Sequence, residues 1–112
     1  MKFVRCMPEE QAENKLFIYG VLNARRGNRM CDVDPMNVVR AKGFIMGRDD
    51  AADKDLLAVI TEDGEVLYTI SKVFISQFID CVDTLGTSEI PFKVGRSKNK
   101  SGREYITFDL VY

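Results

Sequence analysis

The side chains of this 112-residue chain that could do chemistry are two basic clusters, an acidic run, four tyrosines and three cysteines. The first basic cluster is Arg25, Arg26 and Arg29 around Gly27-Asn28. The second is Lys93, Arg96, Lys98, Lys100 and Arg103, and no acid lies among residues 93–103. Cations strung along turns suit a row of phosphates. Flat rings beside them suit unpaired bases, because single-strand binding combines charges that track the backbone with side chains that stack. Tyr105 lies two residues from Arg103, and Tyr68 and Tyr19 are the other stacking candidates. Between the basic clusters, residues 49–65 hold seven acids and one lysine. The overall net charge of −1 hides this segregation.

Other chemistries are poorly served. The chain has no histidine, which removes imidazole bases, Ser-His-Asp and Cys-His nucleophile systems and His-containing zinc sites. Cys6, Cys31 and Cys81 are odd in number, without CxxC spacing. They read as ordinary thiols of a reducing cytoplasm rather than a disulfide framework or a metal cluster. Acidic groups such as Asp32 and Asp34, or Asp49, Asp50 and Asp53, are of the type that holds Mg²⁺, but their spacing matches no metal loop. The expectation is a non-enzyme with no cofactor and no metal. The start is broken by Arg5 and carries no secretory apolar run, and no stretch approaches the length that spans a bilayer. A cytoplasmic protein without a membrane partner is expected.

The elements that must position these groups follow from periodicity. Lys15–Asn23 is rich in β-formers and reads as a strand, with Gly20 at a bend. Asn37–Met46 reads as a second strand. Leu56–Thr61 and Glu65–Ile70 flank Asp63-Gly64 and read as a hairpin. Over Ser71–Leu85 the period changes: Ile75, Phe78, Ile79, Val82 and Leu85 form one helical face. Ser71 stands at the N-cap and Gly86 just past the end. Ile90–Val94 is a short strand, residues 95–102 are a basic turn, and Arg103–Tyr112 alternates as a last strand. Phe17, Phe44, Phe74, Phe78, Phe92 and Phe108 are assigned to the core.

This order predicts one domain over residues 1–112, mostly β with one α-helix. The leading architecture is a small antiparallel OB-fold-like barrel, in which the helix plugs one end of a curled sheet. An open antiparallel sheet with one packed helix fits the same order. The barrel's first strand is either Lys15–Asn23 or one starting at Asn37. With the first numbering, Arg25–Arg29 and residues 95–102 occupy the two loops that flank the oligonucleotide face of an OB-fold.

The run Asp63-Gly64-Glu65-Val66-Leu67-Tyr68-Thr69-Ile70-Ser71-Lys72 is followed by Val73-Phe74-Ile75-Ser76-Gln77-Phe78. Near the end come Ile90-Pro91-Phe92-Lys93-Val94, Ser97-Lys98 and Ser101-Gly102-Arg103-Glu104-Tyr105-Ile106-Thr107-Phe108. Together, over residues 56–112, they resemble small OB-fold single-stranded-DNA-binding proteins of phages and mobile elements. The resemblance implies sequence-tolerant binding of single-stranded DNA, or of RNA. The chain departs from that pattern in having no tryptophan and no acidic C-terminal tail. The alternative function is a small phage-type inhibitor or adaptor that docks the acidic run 49–55 on a host protein. The edge of the last strand also offers a route to a homo-oligomer.

Overall fold

The computed structural model describes residues 1–24 and 27–112. The chain opens with strand β1 (Lys2–Met7) and a 3₁₀ turn over Glu9–Glu13. Helix α1 (Lys15–Tyr19) follows and continues as π-helical turns over Gly20–Ala24. Then come β2 (Asn28–Arg29), a 3₁₀ turn (Met30–Asp32), β3 (Val39–Asp49), β4 (Lys54–Thr61) and β5 (Val66–Thr69). Helix α2 (Lys72–Leu85) and the pair β6 (Pro91–Lys98) and β7 (Glu104–Leu110) complete the chain.

The hairpin and α2 form where their sequence signals place them. β4 and β5 pair antiparallel around the Asp63-Gly64 turn. Ser71 Oγ accepts the Phe74 N–H at 3.3 Å and starts α2. Gly86 ends it in the left-handed region, φ 72°, donating to Val82 O at 2.8 Å. Phe74, Ile75, Phe78 and Val82 are buried on one face of α2. Phe78 meets Phe44, Phe92 and Phe108 edge-on, with ring centroids 5.5–6.0 Å apart.

The strand expected over Lys15–Asn23 is helical instead. Asn14 Oδ1 caps α1 by accepting the Phe17 N–H at 3.1 Å. Ile18, Val21 and Leu22 are buried at helical spacing, whereas Leu16 is 84% exposed. A strand would have put Leu16 on the same face as Ile18 and Leu22. Among the described residues there are therefore two α-helices, and Phe17, at 39% exposure, stands outside the core.

The sheet runs β2-β5-β4-β3-β6-β7, and β1 also pairs with β3. β3 is shared along one edge: residues 44–48 pair with β1 and residues 39–40 with β6. The sheet is strongly curled into a half-barrel. Its concave face wraps α2, and Ile18, Val21 and Leu22 cover the opposite face. On β4, Leu57 and Val59 enter the concave core while Leu56, Ala58 and Ile60 enter the convex one. A strand buried on both faces has no polar alternation to show. Among the described residues, β5 and β7 do not pair, so the curl stops short of a closed ring. Part of the seam is occupied by residues 28–33. Asn28 and Arg29 add to β5 in parallel, and Met30 is fully buried.

Candidate nucleic-acid interface

β6 and β7 form a two-stranded ribbon whose two faces differ. Phe92, Val94, Arg96 and Lys98 alternate onto the concave side, opposite Leu110, Phe108, Ile106 and Glu104. Lys93, Gly95 and Ser97 lie on the convex side, opposite Asp109, Thr107 and Tyr105. The outer face carries the small residues Gly95 and Ser97, with Tyr105 at its tip end. Lys93 thus shares a face with Tyr105, and Lys98 projects from the other.

The tip is an ordered turn. β6 runs on to Lys98, so Gly95–Ser97 are strand rather than turn, and the reversal is confined to residues 99–103. Asn99 Oδ1 accepts from Ser101 N at 3.1 Å, Ser101 Oγ at 2.7 Å and Arg103 N at 2.9 Å. Asn99 N donates to Arg103 O at 3.0 Å, and Gly102 takes φ 82° to complete the turn. An asparagine that mimics a backbone turn in this way rigidifies a loop. Among the described residues, Lys98, Lys100 and Arg103 make no ion pair. The turn therefore displays three cations, none of them ion-paired among the described residues, on a fixed frame.

Several of the expected contacts are placed elsewhere. Arg96 does not face solvent phosphates: its Nη2 donates to Cys31 O at 2.6 Å and Val33 O at 3.0 Å, and its Nη1 to Val94 O at 3.2 Å. It staples the seam-filling segment to β6. Arg29 is bound to Asp32, whose carboxyl this guanidinium holds below the usual carboxylate range. Tyr68, at 8% exposure, belongs to the convex core and has no free ring face to stack on a base. Tyr19 is 67% exposed but rides on α1 rather than on a strand. Arg25 and Arg26 lie outside the described residues.

The strand numbering also changes the charge picture. The first two long neighbours of the curl are β3 and β4, and the loop that joins them is the acidic one, not Arg25–Arg29. Arg48 gathers that loop, binding Asp50 at 3.0 Å, Asp55 at 3.2 Å, and Asp53. Lys2 adds a second ion pair to Asp50. The outer face of β4 and β5 is not open, because Ile18, Val21 and Leu22 cover it. A cleft of about 700 Å³ between residues 28–40 and the β4–β5 turn is lined by Asp32, Asp34, Glu62, Asp63 and Glu65 against Arg29 and Arg40, and this acidic excess disfavours phosphate.

The comparisons leave the site to be read from its own geometry: no family model, no curated protein and no solved structure matched this chain. Asn99, Arg48 and the convex pair Thr107 and Asp109 are not among the site residues expected from the sequence, although alternation places Thr107 and Asp109 on one face with Tyr105. Asn99 had a local signal of its own, an asparagine two residues before a serine and three before a glycine.

Proposed function

We propose that this protein binds single-stranded nucleic acid without sequence preference and carries out no catalysis. Lys100, Arg103 and Lys98 at the β6–β7 tip, together with Lys93, meet phosphates, and Tyr105 on the convex face stacks on a base. The half-barrel is read as an OB-fold-like sheet left open at its seam, since β5-β4-β3-β6-β7 with a helix between β5 and β6 is the order such a barrel would have. The carrying observation is the ordered tip: its cations make no ion pair among the described residues and stand next to a strand face that carries a tyrosine. Electrostatic binding of this kind weakens linearly on a log–log salt plot, with a slope of about −0.7 per phosphate neutralised on a single strand.

The test is fluorescence anisotropy of a labelled 30-nucleotide oligo-dT at low and moderate salt. Saturable, salt-sensitive binding is expected. Replacing Lys98, Lys100 and Arg103 together by Ala should reduce the slope by about 2. An unchanged slope would move the site off the ribbon. No binding at low salt by folded protein would end this reading, and capture of a host protein partner would become the next experiment.

A further inference from the structure

A face that touches phosphates should carry no carboxylate, yet Asp109 stands on the convex side of β7, directly opposite Lys93. Lys93 does not neutralise it, because among the described residues Asp109 makes neither an ion pair nor a side-chain hydrogen bond. Its neighbour on the same face is Thr107. Gly95 lies between them: a Cβ built on Gly95 would collide with both Asp109 Oδ2 and Thr107 Oγ1. The two oxygens therefore converge over a glycine floor, with Tyr105 at one end of the row and Lys93 at the other.

A carboxylate only accepts hydrogen bonds, so whatever meets Asp109 there must donate. On a single strand the donors are base N–H groups and the ribose 2′-hydroxyl. A sequence-tolerant site has no fixed base donor to rely on, whereas every ribonucleotide brings the 2′-hydroxyl and no deoxyribonucleotide does. Tyr105 and Thr107 are two residues apart on one strand face, about 6.8 Å. A base on the Tyr105 ring and its own sugar can bridge that span. We infer that Asp109 and Thr107 form a ribose-reading notch, which makes RNA the preferred single strand. The inference rests on the ribbon being the binding surface.

The experiment compares labelled 30-mers of oligo-U, oligo-dU and 2′-O-methyl oligo-U in one buffer, with folding of each variant checked by circular dichroism. The wild-type chain should bind oligo-U about tenfold more tightly than oligo-dU, the range of a hydrogen bond to a charged group. The 2′-O-methyl strand, which keeps the ribo-type sugar but lacks the donor, should bind like oligo-dU. Asp109→Ala should abolish the preference while leaving oligo-dU binding equal or tighter, because a repulsive charge is gone. Thr107→Val should reduce the preference part-way. Equal binding of oligo-U and oligo-dU by the wild-type chain overturns the notch and leaves the ribbon standing. So does a preference that survives Asp109→Ala. Failure to bind any of the three strands overturns the ribbon itself, and the notch with it.

Discussion

Asn99 carries no charge, yet it decides where three charges point. Its side-chain oxygen takes three hydrogen bonds inside the turn. Replacing it by Ala frees the tip without removing a cation. Asn99→Ala should weaken oligonucleotide binding about fivefold, the scale of ordering a flexible segment on binding, while the salt slope stays at its wild-type value. A titration series over salt separates this from loss of a lysine, which changes the slope. Arg96 shows why residue type alone misleads. A guanidinium fork that suits phosphate oxygens can also donate its N–H groups to backbone carbonyls. The sequence offers no means of telling that Cys31 and Val33 carbonyls lie within its reach, since they are more than sixty positions away. Tyr68 misleads in the same way: its place on a hairpin strand is legible, but the helix that buries its face is not.

At the scale of elements, the hairpin was legible from the Asp63-Gly64 turn between two β-rich runs, and α2 and β7 because each has one periodicity and a clean stop. Lys15–Ala24 was not, because Leu16, Phe17, Ile18 and Tyr19 favour strands by composition while burial follows a helical period. The cap at Asn14 and the spacing of Ile18, Val21 and Leu22 were the signals that outweighed it. β7 illustrates a second device. Its outer edge pairs with no strand among the described residues, but Gln77 on α2 reaches across and accepts the Phe108 N–H at 3.0 Å. A side chain that occupies the middle of an edge discourages another chain from pairing there. Gln77→Ala should leave α2 packed and raise self-association. Sedimentation velocity over a tenfold concentration range would register this as a larger concentration-dependent shift than that of the wild-type chain. A variant that associates no more than wild type would show that Gln77 does not guard the edge.

At the scale of the whole molecule, the basic tip shares its end of β3 with the acidic rim of the cleft, because Glu62 N donates to Arg40 O and Arg96 holds Cys31 and Val33. β6 pairs with the beginning of β3 and runs on past it, whereas the β3–β4 loop lies beyond the other end of β3. The basic tip and the Arg48-gathered acidic loop therefore project in opposite directions. Asp50 is held below the ordinary carboxylate range by Lys2, Asp32 by Arg29, and Asp63 by the Thr61 hydroxyl. A carboxyl whose folded-state pKa is depressed stabilises the fold above its unfolded value and loses that contribution as pH falls through the folded one. Thermal unfolding followed by circular dichroism should thus give a midpoint that is flat from pH 7 to about 5 and declines below about 4. No helix among the described residues is long and apolar enough to cross a membrane. Leu57 and Val59 of β4 belong to one core and Leu56, Ala58 and Ile60 to the other, so a single five-residue stretch is the shared wall of both. Melting either core would strip one face of this strand. Unfolding should therefore be all-or-none, and the amides of this wall should be the last to exchange with deuterated solvent.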